Sequence, residues 1–310
     1  MGKIAFLFSG QGSQYPGMGK DFYENIPLIK EKFDKAEDFR NGSLNQMFNG
    51  TKEELKITKN TQPLLFLEDF AGALALKEKN IYPDVVAGFS LGEIVAITFA
   101  GILDYESGFK LVCKRGELMQ KAAEVTKGKM IAVLRADADK LKKMCMDYNV
   151  YPVNYNCPGQ IVVSGEEENI DKFMDYLKEE GIRCILLEVS GSFHTPYMES
   201  ASSGLNEELR KKDYKVEMPK IPVYSNKTAS IYPDDEEKII NLLSDQISNP
   251  VRWEDIIKKM FEDGVDTFIE CGPGNVLSSF VKKILKGEKN IKILNVGDME
   301  SLECVLKEME

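Results

Sequence analysis

Asp84 to Val95, read DVVAGFSLGEIV, leaves the backbone few options. A short apolar run meets Gly88-Phe89-Ser90-Leu91-Gly92, a G-x-S-x-G pentapeptide, and helix-forming residues follow. Such a turn reverses a strand into a helix so sharply that side chains flanking the serine would strike neighbouring backbone, and glycines supply the room. Ser90 is thereby presented as a nucleophile. The Leu91 amide, at the helix start, offers an oxyanion both its N–H and the positive end of the helix dipole.

A parallel α/β fold surrounds this elbow in the sequence. Ile4 to Phe8 reads as a buried strand that runs into Ser9-Gly10-Gln11-Gly12-Ser13-Gln14, a polar glycine loop at a strand's C-terminal end. Phosphate-loop readings fail there, because a dinucleotide fingerprint needs glycine where Tyr15 stands and a P-loop needs lysine where Met18 stands. The loop is either a plain turn or the second oxyanion donor, facing the elbow through the Gln11 amide. Pro63 to Lys77 predicts a buried helix, Leu91 to Ala100 the helix launched by the elbow, and Tyr105 to Glu124 a further helix carrying Arg115. Late in the chain IPVYSN, DTFIECGPGNVL and KILNVG continue the strand, loop and helix alternation.

From about Met130 the period changes. MIAVL, a charged helical run over 137–148, VYPVNYN, a turn at Cys157-Pro158-Gly159, QIVVSG, a second helical run over 166–180 and CILLEV read β-α-β-β-α-β, the ferredoxin-like pattern. The expected fold class is therefore α/β, with a parallel core over 1–126 and 191–310 and an inserted ferredoxin-like subdomain over 127–190. A cleft between the two follows. The strand Cys184 to Val189 ends at Ser190-Gly191-Ser192-Phe193-His194-Thr195-Pro196, where Thr195 is placed to cap a helix. A lone histidine is most often structural. If Ser90 is activated by histidine, however, His194 is the base, since the chain contains 1 histidine.

Composition removes other classes. A formal charge of −10 and a pI near 5.0 oppose nucleic-acid binding, which needs a basic surface. The single histidine and the scattered cysteines at 113, 145, 157, 184, 271 and 304 do not suggest a metal site or a disulfide scaffold. No apolar stretch approaches the roughly 20 residues of a membrane span, and the N-terminus lacks a signal-peptide pattern. A cytoplasmic protein with no membrane association is expected.

Six separated motifs, GQGSQ, GFSLGE, KRGELM, NYNCPGQIVVSG, GSFHTP and QISNPVRW, stand in the order found in malonyl-CoA:acyl-carrier-protein transacylases of fatty-acid synthesis, and the chain resembles that family from FSGQGSQ to NVG. The resemblance implies an α/β-hydrolase-like core with a ferredoxin-like subdomain, and transfer of a malonyl group from malonyl-CoA to the phosphopantetheine thiol of acyl carrier protein through a malonyl-serine, with no metal or bound cofactor; a monomer is expected, though no residue pattern carries that expectation. It implies Ser90 as nucleophile, His194 as general base and the Gln11 and Leu91 amides as the oxyanion hole. Arg115 would hold the malonyl carboxylate, the Gln246 main-chain carbonyl would orient the histidine, and Phe193 would favour malonyl over methylmalonyl. The family often has histidine before the nucleophile, where this chain has Phe89. Rival readings are a polyketide-pathway acyltransferase acting in trans, a serine thioesterase, and a carrier-docking module with a decayed site. For docking of an acidic carrier, Arg210-Lys211-Lys212 and Lys282-Lys283 are the basic runs available.

Overall fold

The computed structural model describes residues 2–189 and 191–309. The chain begins with β1 (Lys3–Phe8), short helices α1 (Lys20–Asn25), α2 (Pro27–Phe39), α3 (Ser43–Asn49) and α4 (Lys52–Lys56), and the long α5 (Thr58–Glu78). Then come β2 (Val85–Gly88), α6 (Gly92–Phe99) and α7 (Tyr105–Val125). A second block holds β3 (Gly128–Leu134), α8 (Ala138–Asp147), β4 (Tyr151–Cys157), β5 (Gln160–Glu166), α9 (Glu167–Glu179) and β6 (Cys184–Leu186). The chain returns through α10 (Glu199–Leu209), β7 (Val223–Tyr224), α11 (Glu236–Asp245), α12 (Trp253–Glu262), β8 (Val265–Cys271), α13 (Val276–Ile284), β9 (Lys292–Val296) and α14 (Met299–Met309).

Two sheets result. The first has order β7-β2-β1-β8-β9 and every pairing is parallel. Its central strand β1 is an apolar run buried on both faces, with Ala5 to Phe8 fully covered, as a strand sandwiched between helix layers must be. The second sheet is antiparallel with order β4-β5-β3-β6, which in local numbering is 2-3-1-4, the ferredoxin-like arrangement. The fold is thus an α/β-hydrolase-like parallel core with an inserted ferredoxin-like subdomain. The expected end of the insertion, Ser190, lies outside the described residues.

Register places the chemistry. Phe8 pairs with Gly88, so the loops after β1 and β2 leave the sheet side by side at its C-terminal edge. The Phe89 amide donates to the Phe8 carbonyl at 2.9 Å, which fixes the elbow against the glycine loop. Three expectations change in detail. The strand expected over 184–189 ends at Leu186, and 221–226 keeps only Val223 and Tyr224 as strand, because Asn226 turns back to bond the elbow. Thr195 does not cap the turn that follows it; its hydroxyl donates back to the Ser192 carbonyl at 2.6 Å.

Candidate active site

The elbow is built from three constraints. A Cβ on Gly88 would strike the backbone of Gly92, and one on Gly92 would strike the carbonyls of Phe8 and Ser9, so both positions are closed to any side chain. Ser90 itself sits at φ 55°, a left-handed conformation that costs a serine roughly 1 to 3 kcal/mol and persists only where its surroundings enforce it. Asn226 does the enforcing. Its Oδ1 accepts from the Ser90 amide at 2.7 Å, and its Nδ2 donates to the Gly88 carbonyl at 2.6 Å.

Ser90 Oγ and His194 Nε2 lie 2.8 Å apart. The tautomer follows from the other ring nitrogen: Nδ1 faces the carbonyls of Gln246 at 3.0 Å and Asn249 at 3.1 Å, which only accept, so Nδ1 carries the proton and Nε2 offers its lone pair to the serine. Two main-chain carbonyls occupy the place of a triad carboxylate. Burial, and then the nearby Arg115 charge, push His194 down to about 4, so the resting imidazole is neutral at physiological pH. His194, like Ser90, has a positive φ, 62°.

Arg115 projects from α7 and is 1% exposed. Its Nη1 donates to Gln62 Oε1 at 2.8 Å, and its Nη2 donates to Gln246 Oε1 at 2.8 Å and to Ser90 Oγ at 3.1 Å. No carboxylate forms an ion pair with it among the described residues, and its buried Nε–H finds no acceptor there. Burial pulls its pKa down to about 10, and Glu93 opposes that shift, so the guanidinium stays cationic at neutral pH.

Gln11, Leu91 and Phe193 join the same cavity, of about 80 Å³, whose other walls include Met119, Met130, Leu187 and Val189. Among the described residues neither the Gln11 nor the Leu91 amide finds a backbone acceptor, and Leu91 immediately precedes α6. A cleft of about 230 Å³ between the sheets adjoins the cavity at Gln11, Phe89, Asn154 and Leu187. Phe89 is not a second polar group in the site; its ring packs edge-on against Trp253, 5.4 Å between centroids, and 6.4 Å from Phe280.

Every residue expected in the site therefore meets in one place. Sequence reasoning missed Gln62, Glu93, Asn226 and Asn249, of which Glu93, in GFSLGE, and Asn249, in QISNPVRW, lay inside recognised motifs. The two basic runs fare differently. Arg210 is engaged by Glu237 and Lys211 by Glu208, whereas Lys282 and Lys283 are exposed on the last turn of α13, the helix whose Val276, Leu277 and Phe280 line the cleft. Among the described residues no group of carboxylate, cysteine and histidine side chains is arranged to hold a metal ion, and no helix is long and apolar enough to cross a membrane.

The acyl transferase domain family matches residues 5–301. The chain is 41% identical to a malonyl CoA-acyl carrier protein transacylase of Bacillus subtilis (strain 168), over 100% of this chain and 98% of that protein. It is 35% identical to the one from Staphylococcus aureus (strain MSSA476), over 98% of each. Among solved structures it is similar to the malonyl CoA-acyl carrier protein transacylase from Clostridium perfringens, with TM-score 0.92, 39% identity and coverage of 99% of this chain and 97% of that one. It is also similar to a malonyl-transacylase in complex with a type II PKS acyl-carrier protein, with TM-score 0.92, 33% identity and coverage of 99% of each chain.

Proposed function

The chain belongs to the acyl transferase domain family, and from that premise we propose that it is an acyltransferase moving malonyl from malonyl-CoA to the phosphopantetheine thiol of acyl carrier protein in fatty-acid synthesis. One observation carries the choice of acyl group. Arg115 is a buried guanidinium without a carboxylate partner among the described residues, with an unused Nε–H, 3.1 Å from the proposed nucleophile. A substrate carboxylate supplies the missing partner through two parallel hydrogen bonds, and an acetyl group supplies nothing.

In the first half-reaction Ser90 Oγ attacks the thioester carbonyl while His194 Nε2 takes the hydroxyl proton. The tetrahedral oxyanion is held by the Gln11 and Leu91 amides, with the α6 N-terminus behind Leu91. The C–S bond breaks, the imidazolium gives its proton to the CoA thiolate, and malonyl-Ser90 remains. In the second half the phosphopantetheine thiol gives its proton to His194 and attacks the ester, and Ser90 recovers its proton as it leaves. The depressed basicity of His194 makes its imidazolium a ready donor to a thiolate. When the malonyl carboxylate cancels the Arg115 charge, one of the two causes of that depression is removed, so the base strengthens only with an anionic substrate in place. This chemistry calls for no cofactor, because side chains and amides supply nucleophile, base and anion stabilisers.

With the reading as a malonyltransferase of fatty-acid synthesis goes the proposal of a cytoplasmic monomer. We divide the chain into 1–126 with 191–310 as the core and 127–190 as the smaller unit. Intact-mass measurement after mixing with malonyl-CoA, followed by peptide mapping, tests the reading: a malonyl ester on Ser90 is expected, and an adduct on a cysteine, or none, overturns it. The likeness to a malonyl-transacylase bound to a type II PKS acyl-carrier protein favours a second acceptor, a polyketide-pathway carrier. Comparing kcat/KM for carriers of the two kinds separates the pathways, and free malonate released without any carrier would identify a thioesterase instead.

A further inference from the structure

Glu93 is a carboxylate with 0% exposure, three residues after the nucleophile in the first turn of α6, and the chemistry above does not use it. A buried acid in the first turn of a helix ordinarily answers the helix dipole, but this one is tied sideways into the site. Its Oε1 accepts from Tyr232 Oη at 2.7 Å and from the Asn226 amide at 3.2 Å, and its Oε2 accepts from Gln246 Nε2 at 2.8 Å. All three partners donate. The second N–H of the Gln246 amide donates to the Ser90 carbonyl at 2.6 Å. With Nε2 committed to two acceptors, Gln246 Oε1 must face the other way, where it accepts from Arg115 Nη2 at 2.8 Å.

We propose that Glu93 is a positioning residue for acyl selection: it fixes the orientation of the Gln246 amide and, through that amide, the aim of Arg115 at the acyl carboxylate. The proposal rests on the reading of Arg115 as the carboxylate ligand. A carboxylate placed directly on Arg115 would neutralise it and occupy the edge that substrate needs. Held one amide away, Glu93 compensates the charge while leaving the Nε–H of Arg115 open. Around Glu93, α7 presents Arg115, the segment after β7 presents Asn226 and Tyr232, and the turn after α11 presents Gln246. Burial raises Glu93 to about 7, opposed first by Tyr232, then by Gln246, Asn226 and Arg115, so these donors are what keep a buried acid available as an anion near neutral pH.

The test is Glu93→Gln. A glutamine must point an NH₂ at a group that itself donates, so either the Gln246 amide turns over and presents Nε2 to Arg115, or a buried donor is left unpaired. The expected result is a fall of about tenfold in the ratio of malonyl to acetyl kcat/KM, mainly through malonyl KM. A merely structural role would lower the melting temperature and both activities together. Gln246→Ala, which keeps the main-chain carbonyl on His194, supplies the second arm: in that background Glu93→Gln should change the ratio by less than about twofold, since the relay is already broken. An unchanged ratio in Glu93→Gln, or a full tenfold effect persisting without the Gln246 side chain, overturns the proposal. Arg115→Ala separates the premises. If it collapses the ratio while Glu93→Gln does not, the Glu93 proposal alone falls; if it leaves the ratio intact, both fall.

Discussion

One wall of the acyl cavity is polar, made by Ser90, His194 and Arg115, with Gln246 and Glu93 behind them. The rest of the lining includes an apolar part, made by Met119, Met130, Leu187 and Phe193. On the polar wall each group has two or more partners drawn from distant parts of the chain, so its geometry is over-determined. On the apolar wall the one directional contact among these four side chains is a hydrogen bond from Gln62 Nε2 to Met119 Sδ at 3.3 Å; otherwise packing sets the volume left for substrate. The difference teaches where single substitutions should be severe and where they should be graded. Losing one polar partner strands another buried polar group, whereas changing an apolar side chain trades volume for volume.

The sharpest way to break this contrast is His194→Ala. It should cost about 10²- to 10⁴-fold in kcat, because the chain has 1 histidine and no other imidazole to take over. Near wild-type turnover would remove His194 from the chemistry. Arg115→Ala comes next, with a loss of about 10²-fold in malonyl kcat/KM, the value of a charge-assisted contact of up to about 3 kcal/mol, and a much smaller loss for acetyl thioester. Equal losses for both thioesters would make Arg115 structural.

The pH profile probes the polar wall without mutation. With free-enzyme His194 at about 4, kcat/KM at pH 5 should be about 30-fold higher than a histidine of ordinary pKa allows. Because malonyl cancels the Arg115 charge, the acidic limb of kcat should lie at higher pH than that of kcat/KM. Glu93, which takes a proton below about 7, adds a separate step. The same shift carries a stability cost with a defined sign. The unfolded chain binds a proton at this histidine below about 6.5 and the folded chain resists it, so stability present above that pH is lost as the pH falls towards about 4. Coincident limbs near 6.5 would mean that the imidazole is not buried as described.

On the apolar wall Phe193→Ser should narrow the malonyl over methylmalonyl preference by about tenfold, mostly by improving methylmalonyl, since a pocket discriminates one methyl by only about 1 to 3 kcal/mol. An unchanged ratio of kcat/KM would assign Phe193 to packing of the histidine loop. The smallest effect is expected for Phe89→His, less than about tenfold in turnover, because the Phe89 ring, though it borders the cavity, is held against Trp253 and Phe280. A large gain there would place a missing catalytic group on the side treated as apolar.

How much of this was legible in the sequence depended on whether a role is written in local order. The elbow, the glycine loop and the β-α-β-β-α-β block are local patterns, and each folds where its spacing says. The groups in direct reach of the reaction were found because their motifs are short and ordered. Asn226, Gln62 and, although it stands inside QISNPVRW, Asn249 were not, since a residue whose partner is 53 to 136 positions away in sequence looks like any other loop or helix residue: Gln62 meets Arg115 across 53 positions, Asn249 meets His194 across 55 and Asn226 meets Ser90 across 136. Glu93 was visible but read as an ordinary first-turn acid, because its function lies in which way a neighbouring amide is turned. The short β6 and β7 show the same limit. Their apolar runs promise longer strands, but the chain leaves the ladder to reach the cleft rim and the elbow.

The two sheets are not joined only by the chain crossing between them. Val251, on the core side ahead of α12, forms a lone parallel bridge to Asn154 of β4: its amide donates to the Val153 carbonyl at 2.7 Å and its carbonyl accepts from the Tyr155 amide at 2.9 Å. These bonds lie beside Asn154, where the acyl cavity meets the cleft. The Val251 side chain is fully buried, so solvent deuterons reach these two amide protons only when the sheets part at this seam. Their exchange in the native protein is therefore a clock for opening of the cleft. If a phosphopantetheine arm must wedge the sheets apart to reach Ser90, the clock runs faster with the carrier present; if the arm threads a gap already there, loading leaves it unchanged.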